Sequence, residues 1–375
     1  MIVPTIDYRK GAVEIIDQVL LPREERIVRL ASVGELASAI RALRVRGAPA
    51  IGIAAAYGML LEIEGYVKER VRSAPAYVFD RVEGVRPFEA AGLEATEIVK
   101  RLDAARETLG ATRPTAVNLF WALDRMSAAA RGGAQDPAAL CGSLAREAFS
   151  IHAEELEIEF AIGRNGVRFI RDGMNVLTHC NAGGLAAAGY GTALGVLYAA
   201  WEEGKRFHVF ADETRPLLQG ARLTAWELRR RGIPHTVLCE GAAASLFAAG
   251  RVDVVVVGAD RIAANGDTAN KVGTLGLAVL CGKFERPFYV AAPWSTFDLR
   301  IPSGAGIPIE ERPCEEVSSF CGVQTAPEGT RVYNPGFDVT PAGLITAIIS
   351  DRGAVENPDG SKIAALAAEM PSLRH

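Results

Sequence analysis

Three stretches of this sequence join residues that do chemistry to turns that would expose them. The first, Thr178-His179-Cys180-Asn181-Ala182-Gly183-Gly184, follows a short β-branched run. A glycine-rich turn that opens a helix offers unpaired backbone N–H groups and the positive end of a dipole, which suits a phosphate. A thiol at such a helix start ionises more readily, which makes Cys180 a candidate functional thiol. A small cysteine packed under a sheet is the plainer alternative. The second stretch, Gly258-Ala259-Asp260-Arg261, ends the run Val252-Asp253-Val254-Val255-Val256-Val257. A carboxyl at the end of a buried strand is partly desolvated, so its pKa should rise and it could act as an acid; helix capping is the alternative. The third, Asn270-Lys271-Val272-Gly273-Thr274, sets a cation beside a turn. The chain has only seven lysines, which favours Lys271 as an anion ligand over a solvated surface charge.

Weaker signals surround these. Arg46-Gly47-Ala48-Pro49 precedes a helical pattern whose N-terminus could cap an anion, and Arg113-Pro114-Thr115 repeats that logic. Arg215 follows Asp212-Glu213-Thr214 and could meet a phosphate or pair with the neighbouring acids. Gln219, a few residues on, would face the crevice. One competing pattern is Gly189-Tyr190-Gly191-Thr192-Ala193-Leu194-Gly195, which with Asp212 imitates a dinucleotide fingerprint. That fingerprint belongs directly after its strand. Here it comes too late, and Gly184, Ala188, Gly191 and Gly195 recur at helical spacing, as a small packing face would.

These groups need elements to position them. Val13 to Leu30 reads as a hairpin turning at Leu21–Glu25. Helices are expected over Val33–Leu43, Pro49–Glu62, Ala95–Thr108, Thr115–Ala130 and Pro137–Phe160, the last capped by Asp136. Residues 65–92 read as a long connection. From Gly166 onward short strands (175–178, 207–210, 235–238, 252–257 and 287–292) alternate with helices, including Leu185–Glu203 and Leu217–Arg231. That alternation predicts an α/β, Rossmann-like doubly wound parallel sheet whose ligand lies at the strands' carboxyl ends. The expected organisation is a mainly helical domain over 1–165 with a short β opening, the sheet domain over 166–352, and a tail over 353–375.

Composition narrows the function. Forty-one basic residues against 45 acidic ones in 375 give a net charge of -4, which leaves no basic field for nucleic acid or an anionic membrane. The longest uncharged apolar run, Ala48 to Leu61, is too short to span a bilayer, for which about 20 residues are needed. No secretory signal opens the chain, and the scattered cysteines suggest reduced thiols in the cytoplasm. No HExxH, HxH or CxxC spacing is present, so neither a metal nor another cofactor is expected.

Taken together, Arg46–Gly52, Arg113–Leu119, Thr178–Gly183, Asp212–Pro216, Gly258–Arg261 and Asn270–Thr274 resemble, in order, the methylthioribose-1-phosphate isomerase family of methionine salvage. The resemblance implies a homodimer acting on a small sugar phosphate. It also implies Cys180 and Asp260 as the catalytic pair, with Arg46, Gly47, Ala48, Arg113, Gln219, Asn270 and Lys271 against the substrate. Related readings are a ribose-1,5-bisphosphate or 5-deoxyribose-1-phosphate isomerase, and a non-catalytic regulatory subunit of translation initiation. Arg46, Arg113 and Lys271 suffice for one phosphate on C1 and leave none for a second on C5. A 5-methylthio group needs an apolar wall instead, for which Trp294 and Phe297 are candidates.

Overall fold

The computed structural model describes residues 5–114, 116–132, 136–320 and 322–369. They form two compact units: one runs to Glu157 and includes Gly184–Gly191, and the other comprises Ile158–Gly183 and the chain from Thr192 onward. The first unit opens with antiparallel strands β1 (Ile6–Arg9), β2 (Ala12–Ile16) and β3 (Ile27–Leu30). The expected hairpin is present, with Val13 opposite Leu30. An additional strand precedes it because Lys10 and Gly11 both take positive φ, the geometry of a tight hairpin turn.

Helices α1 (Val33–Arg41), α2 (Ala48–Arg70), α3 (Ala95–Gly110) and α4 (Val117–Arg131) follow, with the short pair β4 (Phe79–Asp80) and β5 (Gly84–Val85) between α2 and α3. Thr115, where the fourth helix was expected to start, lies outside the described residues. Helix α2 continues past the expected end at Glu62, so residues 65–70 are helix rather than connection. The reason is burial: Ile63, Tyr66 and Val67 are inside, and the buried Glu64 carboxylate accepts the Val78 and Phe79 N–H groups. Among the described residues α2 is the one helix long and apolar enough to cross a membrane. It is apolar all round because it is the central helix of the first unit's core. Helix α5 (Pro137–Gly166) is capped by Asp136, which accepts the Ala139 N–H at 2.9 Å, and runs beyond the expected Phe160.

The second unit is the predicted doubly wound sheet. Its elements in chain order are β6 (Asn175–Thr178), α6 (Ala193–Glu202), β7 (His208–Asp212), α7 (Ala225–Arg230), β8 (His235–Leu238), α8 (Ala243–Ala248), β9 (Val254–Val257), β10 (Arg261–Ala263), β11 (Thr268–Lys271), α9 (Thr274–Lys283), β12 (Phe288–Ala291), β13 (Phe297–Asp298), α10 (Glu315–Ser318), β14 (Ser319–Phe320), β15 (Val323–Gln324), β16 (Phe337–Thr340), β17 (Ala347–Ser350), β18 (Gly353–Glu356) and α11 (Gly360–Glu369). The seven-stranded sheet has the order β18-β17-β12-β9-β6-β7-β8 and is parallel except for β18. Its central strand β9 is four buried valines, and β6 is buried from Val176 to Thr178, as a sheet covered on both faces requires. The chain builds outward from β6 through β7 to β8, then returns to β9 on the other side of β6. The switch point therefore lies between β6 and β9.

Two expectations are corrected here. The helix expected over Leu185–Glu203 starts only at Ala193, because Gly189 and Gly191 adopt φ of 128° and 88° and interrupt it. The expected tail from 353 is structured up to Glu369: β18 pairs along β17, and α11 follows. Residues 370–375 of that segment lie outside the described residues.

Candidate active site

Two of the predicted residues follow the ends of β6 and β9. These strands are hydrogen-bonded neighbours, with Val176 opposite Val254. Cys180 leaves the carboxyl end of β6 and Asp260 that of β9, one on each side of the switch point.

Cys180 is held by backbone bonds rather than by a helix dipole. Its N–H donates to Thr214 Oγ1 at 2.8 Å, and its carbonyl accepts from Thr224 Oγ1 at 2.6 Å. Its φ of 61° is left-handed, as are those of Thr214 (65°) and Leu218 (60°). Each such residue costs about 1–3 kcal/mol, strain that collects at functional sites. The turn Asn181–Gly184, expected to open a long helix, opens only the short turn Gly184–Ala186. A Cβ on Gly183 would lie 2.4 Å from Glu227 Oε1, so this turn packs closely on that side chain. At the start of α6, Thr192 N–H and Leu194 N–H donate to Ala182 O.

Asp260 also differs from expectation. It lies in a bend beyond Val257 and is exposed, so the apolar strand does not desolvate it. Its backbone N–H donates to Ala269 O at 2.9 Å, which fastens it beside β11 and hence beside Asn270 and Lys271. Asn270 is buried, and its amide donates to Thr274 Oγ1 at 3.0 Å. Lys271 Nζ donates to Gly336 O at 2.7 Å and lies 5.3 Å from the Phe337 ring centroid. An ammonium has three hydrogens, so two more remain for an anion. Gln219 is buried, and its Oε1 has no partner among the described residues. It is set there by Gly220, where a Cβ would lie 1.6 Å from Asp212 O.

Sequence reasoning missed Asp338. Its carboxylate accepts Gly273 N–H at 2.7 Å and Leu275 N–H at 3.1 Å, capping α9. Burial pushes its pKa up, against those two amides and the nearby His179 and Lys271. The signal was the apolar flanking of Asp338 by Phe337 and Val339, in a stretch with few other strand cues. Arg215 is held from a distant part of the chain. Its guanidinium donates to Val317 O at 3.0 Å and lies over the Phe320 ring.

The remaining predicted residues belong to the first unit. Gly47, at φ 97°, caps the start of α2 and passes so close to Ala186 that a Cβ would lie 2.2 Å from its carbonyl oxygen. Ala48 begins α2. Arg46 and Arg113 are half-buried, and Arg113 precedes α4.

Residues 44–357 match the model of the Initiation factor 2 subunit family. A curated relative, the methylthioribose-1-phosphate isomerase of Syntrophotalea carbinolica, is 52% identical over 356 residues, spanning 95% of this chain and 96% of that one. This chain belongs to the methylthioribose-1-phosphate isomerase family. Among solved structures, it is similar to the 5-methylthioribose 1-phosphate isomerase of Pyrococcus horikoshii, at 40% identity and a TM-score of 0.86, over 98% of this chain and 96% of that one. It is also similar to a structure described as translation initiation factor eIF-2B, subunit delta, from A. fulgidus. There the identity is 39% and the TM-score 0.82, over 96% of this chain and 99% of that one. The family resemblance read from six short motifs thus extends over almost the whole length.

Proposed function

We propose that this chain converts 5-methylthioribose 1-phosphate to 5-methylthioribulose 1-phosphate, with Asp260 as the acid and Cys180 as base or stabiliser. The observation that carries the reading is the departure of these two residues from adjacent strand ends flanking the switch point. A phosphate on the anomeric oxygen prevents spontaneous ring opening, so the protein must open the ring. Asp260 gives its proton to the ring oxygen, and the C1–O bond to that oxygen breaks. The C2 hydrogen then moves to C1, and O2 loses its proton as C2 becomes a carbonyl. Cys180 serves this step either by taking the C2 proton for return to C1 or by stabilising a hydride in transit. The proton released from O2 restores Asp260. Because Asp260 is exposed in the free chain, the bound sugar itself must exclude water from it.

Lys271 and Asn270 of the second unit, and Arg46, Gly47, Ala48 and Arg113 of the first, are proposed as substrate ligands. Lys271 has hydrogens left for the phosphate, and Gln219 Oε1 can accept from a sugar hydroxyl. A C5 phosphate would lose its hydration without a partner, so the bisphosphate should be rejected.

The test is a comparison of kcat/KM for methylthioribose 1-phosphate, 5-deoxyribose 1-phosphate and ribose 1,5-bisphosphate. The first two should be turned over, and the bisphosphate at least about a hundredfold more slowly, the effect of one uncompensated dianion. Preference for the bisphosphate would reassign the substrate. The similarity to the eIF-2B subunit supports a second reading, a regulatory subunit. Absence of turnover on all three sugars, with copurification of initiation factor, would favour it.

A further inference from the structure

His179 immediately precedes Cys180, and the chemistry above gives it nothing to do. It is nevertheless buried and held at both ring nitrogens. The residue is 1% exposed, and both ring nitrogens face acceptors: Nδ1 lies 2.9 Å from Asp212 Oδ2, and Nε2 lies 2.9 Å from Val272 O. A carbonyl oxygen only accepts, so Nε2 donates. The ring also fills the space beside Gly273, where a Cβ would lie 2.7 Å from Cε1, and Gly273 itself has φ of 107°. The Val272–Gly273 turn is therefore shaped around this imidazole.

The bond to Val272 joins two sheets. Cys180 and His179 stand at the end of β6 in the seven-stranded sheet, whereas Lys271 ends β11 in the four-stranded sheet β13-β10-β11-β16. The other attachments of the Lys271–Thr274 segment lead to β16 or its approach: Lys271 Nζ to Gly336 O, and the Gly273 and Leu275 amides to Asp338. Those bonds fix Lys271 within its own sheet, and the Asp260 N–H bond to Ala269 O ties β11 to the loop after β9 rather than to that after β6. The His179 ring ties the segment to the catalytic strand.

We propose that His179 is a positioning residue, whose Nε2–H···O bond to Val272 sets the Lys271 ammonium and the start of α9 in register with Cys180. Asp212 orients the ring through Nδ1. This inference rests on the reading of Lys271 as a phosphate ligand.

Two substitutions separate the two bonds. The amide nitrogen of His179→Gln can replace Nε2 and keep the bond to Val272, while that of His179→Asn can replace Nδ1 and keep only the bond to Asp212. His179→Gln should leave KM for methylthioribose 1-phosphate within about threefold of wild type, and His179→Asn should raise it about tenfold or more, the worth of one buried hydrogen bond. A readout without turnover accompanies this: inorganic phosphate should raise the unfolding temperature of wild type and His179→Gln, and much less that of His179→Asn. Equal KM values and equal phosphate protection in the two variants would overturn the inference. A wild type protected by phosphate but inactive on the sugar would instead sink the functional reading and leave the positioning role standing on the phosphate data.

Discussion

Each unit of the molecule buries a histidine, and the two are used in opposite ways. In the first unit His152 Nδ1 lies 2.6 Å from the Tyr57 hydroxyl, among Tyr8 and Phe149. Burial, aided by Arg81 and opposed by Asp7 and a hydrogen bond with the Ala188 backbone, pushes its pKa down from 6.5 to about 4, so at neutral pH the ring is uncharged. In the second unit His179 meets a carboxylate on one side and a carbonyl on the other. The left-handed residues divide similarly. Lys10 and Leu43 of the first unit belong to a hairpin turn and to the chain just past α1, where positive φ is ordinary. In the second unit Glu285 and Asn357 likewise lie just past α9 and β18, whereas Cys180, Thr214 and Leu218 follow the carboxyl ends of β6 and β7. Burial alone therefore does not mark a site. What marks it is a buried polar group bonded to the strand ends.

The largest effect that could break this contrast is on turnover. Asp260→Asn keeps the size of the side chain and removes its proton, so kcat should fall by about 10²–10⁴-fold, the usual worth of a positioned acid. Because Asp260 is exposed, the urea midpoint should not move. The complementary change, His152→Gln, should shift the midpoint and leave kcat near wild type. An Asp260→Asn protein with activity within a few-fold of wild type would dissolve the contrast and remove Asp260 from the mechanism.

A smaller effect concerns acid stability. The pKa of His152 is about 4 in the folded chain, against 6.5 when unfolded, so the unfolded state binds a proton first as pH falls. Its contribution is fully present above pH 6.5 and is lost progressively toward pH 4, by up to about 3 kcal/mol. Urea unfolding of wild type and His152→Gln at pH 7, 5.5 and 4.5 reads this directly. The variant should lose less stability than wild type across that window, and parallel losses would show that His152 is not buried neutral.

The same physics explains what could be read from the sequence. The valines of β9 and the glycine turns at the strand ends were readable because a doubly covered parallel strand tolerates little else. The true start of α6 was not, since small residues from Gly184 to Gly195 keep helical spacing while the backbone at Gly189 and Gly191 does not. The length of α2 was hidden by Glu62 and Glu64, because nothing local shows that Val78 and Phe79 will satisfy Glu64. Cys180 and Asp260 do follow the ends of neighbouring parallel strands, as their flanking runs predicted, but the environment expected for each differs. The helix dipole expected at Cys180 is replaced by Thr214 and Thr224, and Asp260 overshoots its strand into solvent. Motif residues report identity. Their electrostatics depend on contacts distant in sequence.

The smallest effect tests the apolar wall and separates two aromatic residues that the sequence could not. Trp294 and Phe297 stack with centroids 4.4 Å apart, and the Arg352 guanidinium lies 4.3 Å from the Trp294 centroid. Trp294 thus has two partners on its ring. Phe297 is only half-buried and begins β13, paired beside β10, which follows Asp260 directly. Phe297 is therefore the better candidate to meet the thioether. Burying a methyl and a sulfur contributes about 1–2 kcal/mol, so Phe297→Ala should raise KM for methylthioribose 1-phosphate about tenfold. Because 5-deoxyribose 1-phosphate lacks the thioether, its KM should change less, and the ratio of the two KM values is the quantity to measure. An unchanged ratio would place the wall elsewhere, while the strand-end assignment of Cys180 and Asp260 would stand, because it makes no use of these rings.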